Sequence, residues 1–412
     1  MKSVQWRAVR RVLAGAVALG LSAGLVAACA SANAEAGQAG QAGQAATAPQ
    51  AERAPATILP RLDLQPAAGT TDVHPLGAVR ASATAGTLQD VALTDSDGEA
   101  LPGTYSADRA QWTATAPLAY RETYTWSGAM VAPGGAVTPL AGSFTTVAPS
   151  RLVRASTNIG DGATVGIAAP IVVRFDRDLS DEAKAEVERG LRVTTSTPVE
   201  GAWAWLPDDA RGSRVHWRPK EYWPVGTQVS MVAPLYGKDL GSAGYGSADL
   251  TTHFTIGRSQ IVRADEDSHR IVVVRDGQQV MDLPASYGLE SDPRRVTRSG
   301  IHIVMAKSEK VLMSNPDYGY VNMPEYWAVR ISNNGEFIHA NPASQSAQGR
   351  RNVSHGCINL SLANARAYFE TAMYGDPVEV TGSSVPLSAR DGDIYDWAVP
   401  WDEWKAMSKL SI

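Results

Sequence analysis

The chain has 412 residues, of which 44% are hydrophobic and 19% charged, and its formal net charge is −5. That apolar content excludes wholesale disorder, and the length suggests about two to four ordinary domains. A mildly acidic balance without a basic block excludes nucleic acid as a partner, and two Cys are too few for a disulfide framework or a four-thiolate metal site.

Lys2, Arg7, Arg10 and Arg11 precede an apolar run over residues 12–28, interrupted by Gly and Ser. The run is too short and too broken for a membrane span, and residues 1–28 read as a signal peptide. It ends Val26-Ala27-Ala28-Cys29, which resembles the lipobox of bacterial lipoproteins. That resemblance implies that Cys29 is lipidated and anchors the chain to a membrane, stable anchoring needing two acyl chains or more. The alternative is an ordinary signal peptide cut a few residues further on. Residues 29–57 are mostly Ala, Gly, Gln and Pro and read as a flexible tether with an r.m.s. reach of roughly 30 Å.

Residues 58–149 and 150–256 read as two related modules. Trp112 and Phe144 in the first are echoed by Trp217 and Phe254 in the second. Eleven Trp against five Phe, with short apolar runs between Gly, Pro and Asp turns, predict antiparallel sandwiches of immunoglobulin-like shape. Ser180 is predicted to cap a helix over residues 180–190, and the Gly-rich stretch 237–246 reads as a mobile surface loop.

A third domain is expected over residues 257–382. Apolar runs at 261–262, 271–274, 280–281 and 299–305 predict strands, and 305–327, rich in Asn, Pro, Gly and Tyr, reads as an irregular lid. One helix is clear, capped by Ser361, with a closing strand at 377–380. The last segment, 383–412, carries Trp397, Trp401 and Trp404 at spacings of four and three. The face they share is expected to pack on the third domain. The fold class is therefore mainly β: two sandwich modules, then a mainly-β domain with one clear helix.

The chemistry concentrates in this third domain. His339 follows an apolar strand, and fourteen residues separate it from Ser354-His355-Gly356-Cys357-Ile358-Asn359. If Cys29 is consumed by lipid, Cys357 is a lone thiol outside the cytoplasm, a liability unless its reactivity is used. A thiol nucleophile needs an imidazole to take its proton and later return one to a leaving amine. The Ser361-capped helix that follows is expected to lend its N-terminal field. Gly356 permits the close backbone approach of an oxyanion site. A metal site from His339, His355 and Cys357 would want a further ligand at regular spacing, and none is obvious, so no metal is expected.

This motif is similar to the signature of bacterial L,D-transpeptidases with a YkuD-type catalytic domain. The whole layout resembles the actinobacterial multidomain lipoproteins of that family. The resemblance implies Cys357 as nucleophile and His339 as general acid and base, oriented by a backbone carbonyl. His355 and the main chain at Gly356 and Cys357 would shape the oxyanion site, and Asn359 would bind substrate or fix the loop. Tyr320, Asn334 and Gly335 align with substrate contacts. Many relatives carry Ser where this chain has Ala340.

The implied reaction joins peptidoglycan stem peptides. Cys357 attacks the third residue of a donor tetrapeptide and expels D-Ala, and the side-chain amine of an acceptor stem resolves the thioester into a 3→3 cross-link. No cofactor is implied, and carbapenem-type inhibitors should acylate the same thiol. The location implied is the outer face of the cytoplasmic membrane, acting in the cell wall. The alternatives are an L,D-carboxypeptidase, with water resolving the thioester, and a non-catalytic lipid-anchored wall-binding spacer.

If Cys29 carries the anchor, Cys29→Ala should release the protein from the membrane fraction while activity on soluble fragments persists. Wild-type protein found in the soluble phase would remove the anchor.

Overall fold

The short apolar runs of residues 58–256 fold, in the computed structural model, into facing pairs of mainly antiparallel sheets, with Ala163–Val165 running parallel to Leu250–Ile256. The structure describes residues 58–389 and 394–410; the leader, Cys29 and the whole tether lie outside them. In the first module, Arg61–Gln65, Arg80–Thr84, Gln111–Ala114 and Gly103–Tyr105 make one sheet. Thr87–Thr94, Thr123–Val131, Val137–Pro139 and Ser143–Thr145 make the other. Their inward faces share a core built on Leu88, Trp112, Trp126 and Phe144, the arrangement of an aligned sandwich.

The second module repeats the plan, with a core around Phe175, Trp217, Trp223 and Phe254. The repeat extends to a packing device. Gly103 pairs with Ala114, two residues past Trp112, and Gly201 pairs with Pro219, two residues past Trp217. A Cβ at either glycine would stand 2.1 Å or 2.0 Å from an indole atom. Each indole therefore lies across a strand position that only Gly can fill. The helix is Asp181–Gly190, and Ser180 Oγ accepts from the Ala183 N–H, a cap typically worth about 1 kcal/mol.

Residues 237–246 do not form a free surface loop. Tyr120 Oη donates to Gly246 O at 2.8 Å and accepts from the Gly237 N–H at 2.9 Å. The flanking Tyr236 donates to Leu118 O at 2.7 Å. The stretch is the seat on which the first module docks, fixed by tyrosines that a composition-based reading passes over.

The third region holds two sheets. Gln278–Pro284, Arg270–Arg275, Gln260–Asp265, Pro377–Thr381 and Gly300–Ile303 form one. Ala306–Asn315, Tyr320–Arg330, Phe337–Ala340 and Ile358–Leu360 form the other. Val262, Ile271, Val329, Ile338 and Ile358 meet between them, joined by Ala365 and Tyr368 of the helix Leu362–Thr371. The expected lid is a long hairpin instead: Ala306–Asn315 pairs with Tyr320–Arg330 from Ala306↔Arg330 to Asn315↔Tyr320. Most of Ala306–Asn315 is exposed, so its sequence lacks the in–out alternation of a half-buried strand. Gly166 and Ala168 donate backbone N–H bonds to Tyr374 and Gly375, fastening the second module to this region.

The Trp-bearing tail also departs from expectation. Trp397, Trp401 and Trp404 share a face, but that face lies on the second module. Arg218 stacks over all three rings at 4.8, 5.1 and 4.9 Å. Trp404 Nε1 donates to Ala202 O at 3.0 Å and Trp397 Nε1 to Ala168 O at 2.9 Å. His216 and Asp396 meet at 2.8 Å beside them, both fully buried. The tail leaves the catalytic region along Ser299, which exchanges backbone bonds with Val385 and Leu387. It therefore straps the two regions together.

Because Trp404 is wholly buried, Trp404→Ala should cost about 3–5 kcal/mol, measured by chemical denaturation followed by far-UV circular dichroism. A loss below about 1 kcal/mol would show that the strap is dispensable.

Candidate active site

A cleft of about 320 Å³ opens on the second sheet of the third region. Its walls include Tyr320, Met323 and Glu325 from the hairpin, His339 and Asn341 from the next strand and turn, and Ser354, His355, Cys357 and Asn359. The register of one parallel pair brings the motif together: Phe337–Ala340 lies beside Ile358–Leu360 with His339 opposite Asn359. Cys357 is two residues ahead of Asn359, so the fourteen-residue excursion returns the thiol to the imidazole.

His339 is buried. Its Nδ1 lies 3.0 Å from Ala340 O and 3.2 Å from Glu325 Oε2. Both oxygens only accept when the carboxyl is ionised, so Nδ1 carries the proton and Nε2 is left for the thiol. Burial alone would depress the pKa of this imidazole. Hydrogen bonds to Cys357 and Glu325, with the charges of both, outweigh burial and raise it to about 10. The contact made by residue 340 is through its carbonyl, so the Ala340 departure costs the base no orientation.

Cys357 Sγ also lies 3.6 Å from Gly335 O. The loop around it is held from below. Ser354 Oγ donates to Cys357 O at 2.6 Å and accepts the Gly356 N–H at 3.2 Å. Thr297 Oγ1 donates to Gly356 O at 3.0 Å, and Arg295 donates to the carbonyls of Val353 and Ser354. The Gly356 N–H is thus engaged by Ser354. Gly356 has φ of +113°, a turn that an L side chain rarely adopts. Helix Leu362–Thr371 contributes less than expected. The strand Ile358–Leu360 stands between Cys357 and its first turn, about 10 Å of extended chain, and a helix-end field fades within one turn.

His355 is exposed and lies against Tyr318 and Tyr320, with ring centroids 4.5 and 5.6 Å away. Burial and then the Arg295 charge lower its pKa, the opposite direction to His339. Burial and then Cys357 raise that of Tyr320. Asn359 lies in the wall, and its buried Oδ1 has no partner among the described residues. Asn334 is exposed at the turn and does not line the cleft; only its neighbour Gly335 touches Cys357.

Glu325 was not legible from the motif. It lies fourteen residues before His339 on a strand read as lid, and only strand pairing brings it back. No cluster of three or more metal-ligating side chains occurs among the described residues.

Residues 259–380 match the family model of the L,D-transpeptidase catalytic domain, and residues 70–239 match that of a bacterial Ig domain. L,D-transpeptidase 5 of Mycobacterium tuberculosis is 55% identical over 351 residues, 85% of this chain and 77% of that protein. L,D-transpeptidase 2 of the same species is 35% identical over 85% of each chain. A solved structure of the L,D-transpeptidase LdtMt1 in complex with imipenem is 35% identical, covering 55% of this chain and 97% of that one with a TM-score of 0.46. The chain belongs to the L,D-transpeptidase family.

Opposite pKa directions at the two histidines separate their effects. Iodoacetamide alkylation of Cys357 near neutral pH should slow at least tenfold in His339→Ala, with the rate–pH profile moving toward that of a simple thiol. In His355→Ala it should move less. A larger effect from His355→Ala would reverse their roles.

Proposed function

We propose that this L,D-transpeptidase cross-links peptidoglycan stem peptides through a thioester on Cys357. The observation that carries the reading is the pinned His339 ring, with Nδ1 held by a carbonyl and a carboxylate and Nε2 left for the thiol. The Cys357 thiol passes its proton to His339 Nε2, and the thiolate attacks the carbonyl carbon of the third residue of a donor tetrapeptide. The C–S bond forms, and the developing oxyanion meets the Cys357 N–H. The imidazolium then gives its proton to the departing amine, the C–N bond breaks, and D-Ala leaves. The side-chain amine of an acceptor stem attacks the thioester and loses its proton to His339. The C–S bond breaks and the thiolate returns.

Asn359 and the tyrosines of the hairpin serve substrate contact in this reading. The wider layout belongs to the same proposal: a signal peptide over 1–28, a lipid on Cys29, a tether to residue 57, modules over 58–149 and 150–256, the catalytic domain over 257–382 and the extension over 383–412. Strands fall inside both modules and the catalytic segment, and the extension carries the helix Trp401–Ala406; the tether's composition supports reach into a wall from the outer face of the membrane.

Incubation of residues 58–412 with a tetrapeptide-stem fragment should yield, by mass spectrometry, a dimer lacking one terminal D-Ala. Shortened monomer as the sole product would favour the carboxypeptidase. No turnover at all would favour the spacer. A carbapenem should add its mass to the wild type and not to Cys357→Ala, since the strained amide carbonyl would meet the same thiolate. An equal adduct on both would overturn the assignment of the nucleophile.

A further inference from the structure

We infer that Glu325 is a positioning residue of the reaction, the third member of a Cys357–His339–Glu325 relay that fixes the His339 tautomer and holds the imidazolium formed when the thiol gives up its proton. The inference rests on the reading of Cys357 as nucleophile given above. Neither the motif nor the family match assigns a carboxylate to this site.

Three independent observations point at this side chain. Its Oε2 stands 3.2 Å from His339 Nδ1, and its side chain is only 17% exposed, so the pair is little screened by solvent. Its strand carries an irregularity at the place that matters. Tyr326 pairs with Ala340 and Val329 with Ile338, so one extra residue is inserted beside His339. Trp327, within the bulge, has φ of +52°, costly for a bulky L residue. A bulge re-aims neighbouring side chains, and such features recur next to active sites. Finally, Glu325 lines the same cleft as Cys357.

The chemistry follows from what the carboxylate adds to the carbonyl. Ala340 O can orient the ring, because it accepts the Nδ1 proton. It brings no net charge. Proton transfer from Cys357 to Nε2 makes a cation in a buried place, where an uncompensated charge is costly. The carboxylate is the anion on the far side of the ring. The groups facing His339 are Cys357 from the Ile358–Leu360 side and Glu325 from the Tyr320–Arg330 strand. Tyr320 and His355 line the same cleft, and the Arg295 charge acts on His355. Glu325 opposes the effect of burial on the imidazolium; its removal lowers the pH at which the ring loses its second proton and shifts the resting pair toward thiol and neutral imidazole.

The test uses full-length protein with E325Q, which keeps the shape and removes the charge, and E325D, which keeps the charge. In E325Q the His339 titration, read by NMR on histidine-labelled protein, should move down by about one pH unit, and the rate of Cys357 alkylation should fall with it. E325D should recover part of both. Circular dichroism establishes that each variant is folded, and E325D carries the test if E325Q is not. Unchanged alkylation and His339 titration in E325Q, with His339→Ala still slow, would overturn the inference and leave the nucleophile standing. The same follows if E325Q only raises KM for the acceptor amine, which would make the carboxylate a substrate anchor. If His339→Ala is also without effect, the underlying reading of the site fails with it.

Discussion

The site depends on one parallel pairing, that of Phe337–Ala340 with Ile358–Leu360. Parallel neighbours need a crossover, because a short turn cannot return the chain in the same direction. Here the crossover is short and carries the reactive loop. It leaves at Ala340, turns through Pro342–Ser344 and arrives at Cys357 with His339 opposite Asn359. Any slip of one residue would send His339 and Asn359 to the opposite face of the sheet. The register is therefore over-determined. Ile338 and Ile358 are fully buried, Ser286 exchanges both backbone bonds with Asn359, and the Ser354 N–H donates to Tyr287 O.

Around this pairing the molecule supplies rigidity rather than chemistry. Ser354, Thr297 and Arg295 fix the loop that carries Cys357, and Glu336, buried beneath it, accepts the Arg298 N–H at 3.0 Å. The strap of residues 394–410 ties the catalytic region to the second module through Arg218 and the indoles. Arg218 is buried, so its charge is compensated by aromatic faces and by the Val399 carbonyl at 2.8 Å. A cation between rings is held better when desolvated than at a surface. The first module is tied to the second mainly by tyrosine hydroxyls, a lighter and more polar contact.

How much of this was legible in the sequence varied with the physics involved. His339 and Cys357 were legible because local spacing and residue type encode them. So was the repeat of sandwiches, since Trp and Phe recur at whole-domain distance. The hairpin was not: it projects with both faces wet, and its turn at Asn315-Pro316-Asp317-Tyr318-Gly319 has loop composition. The strap's partner was also hidden. A helical spacing of Trp says which residues share a face, and only the fold says that Arg218 waits beneath it. Glu325 carries no motif, and the bulge that aims it is a property of pairing, not of local sequence.

The central claim is that a covalent acyl group passes through Cys357. The most direct measurement is the intact mass of protein quenched during incubation with a donor tetrapeptide and no acceptor, followed by peptide mapping. The account predicts an adduct of the donor less one D-Ala, located on the peptide containing Cys357, with one D-Ala released for each adduct. An adduct on any other residue, or release of D-Ala by Cys357→Ala at the wild-type rate, would contradict it.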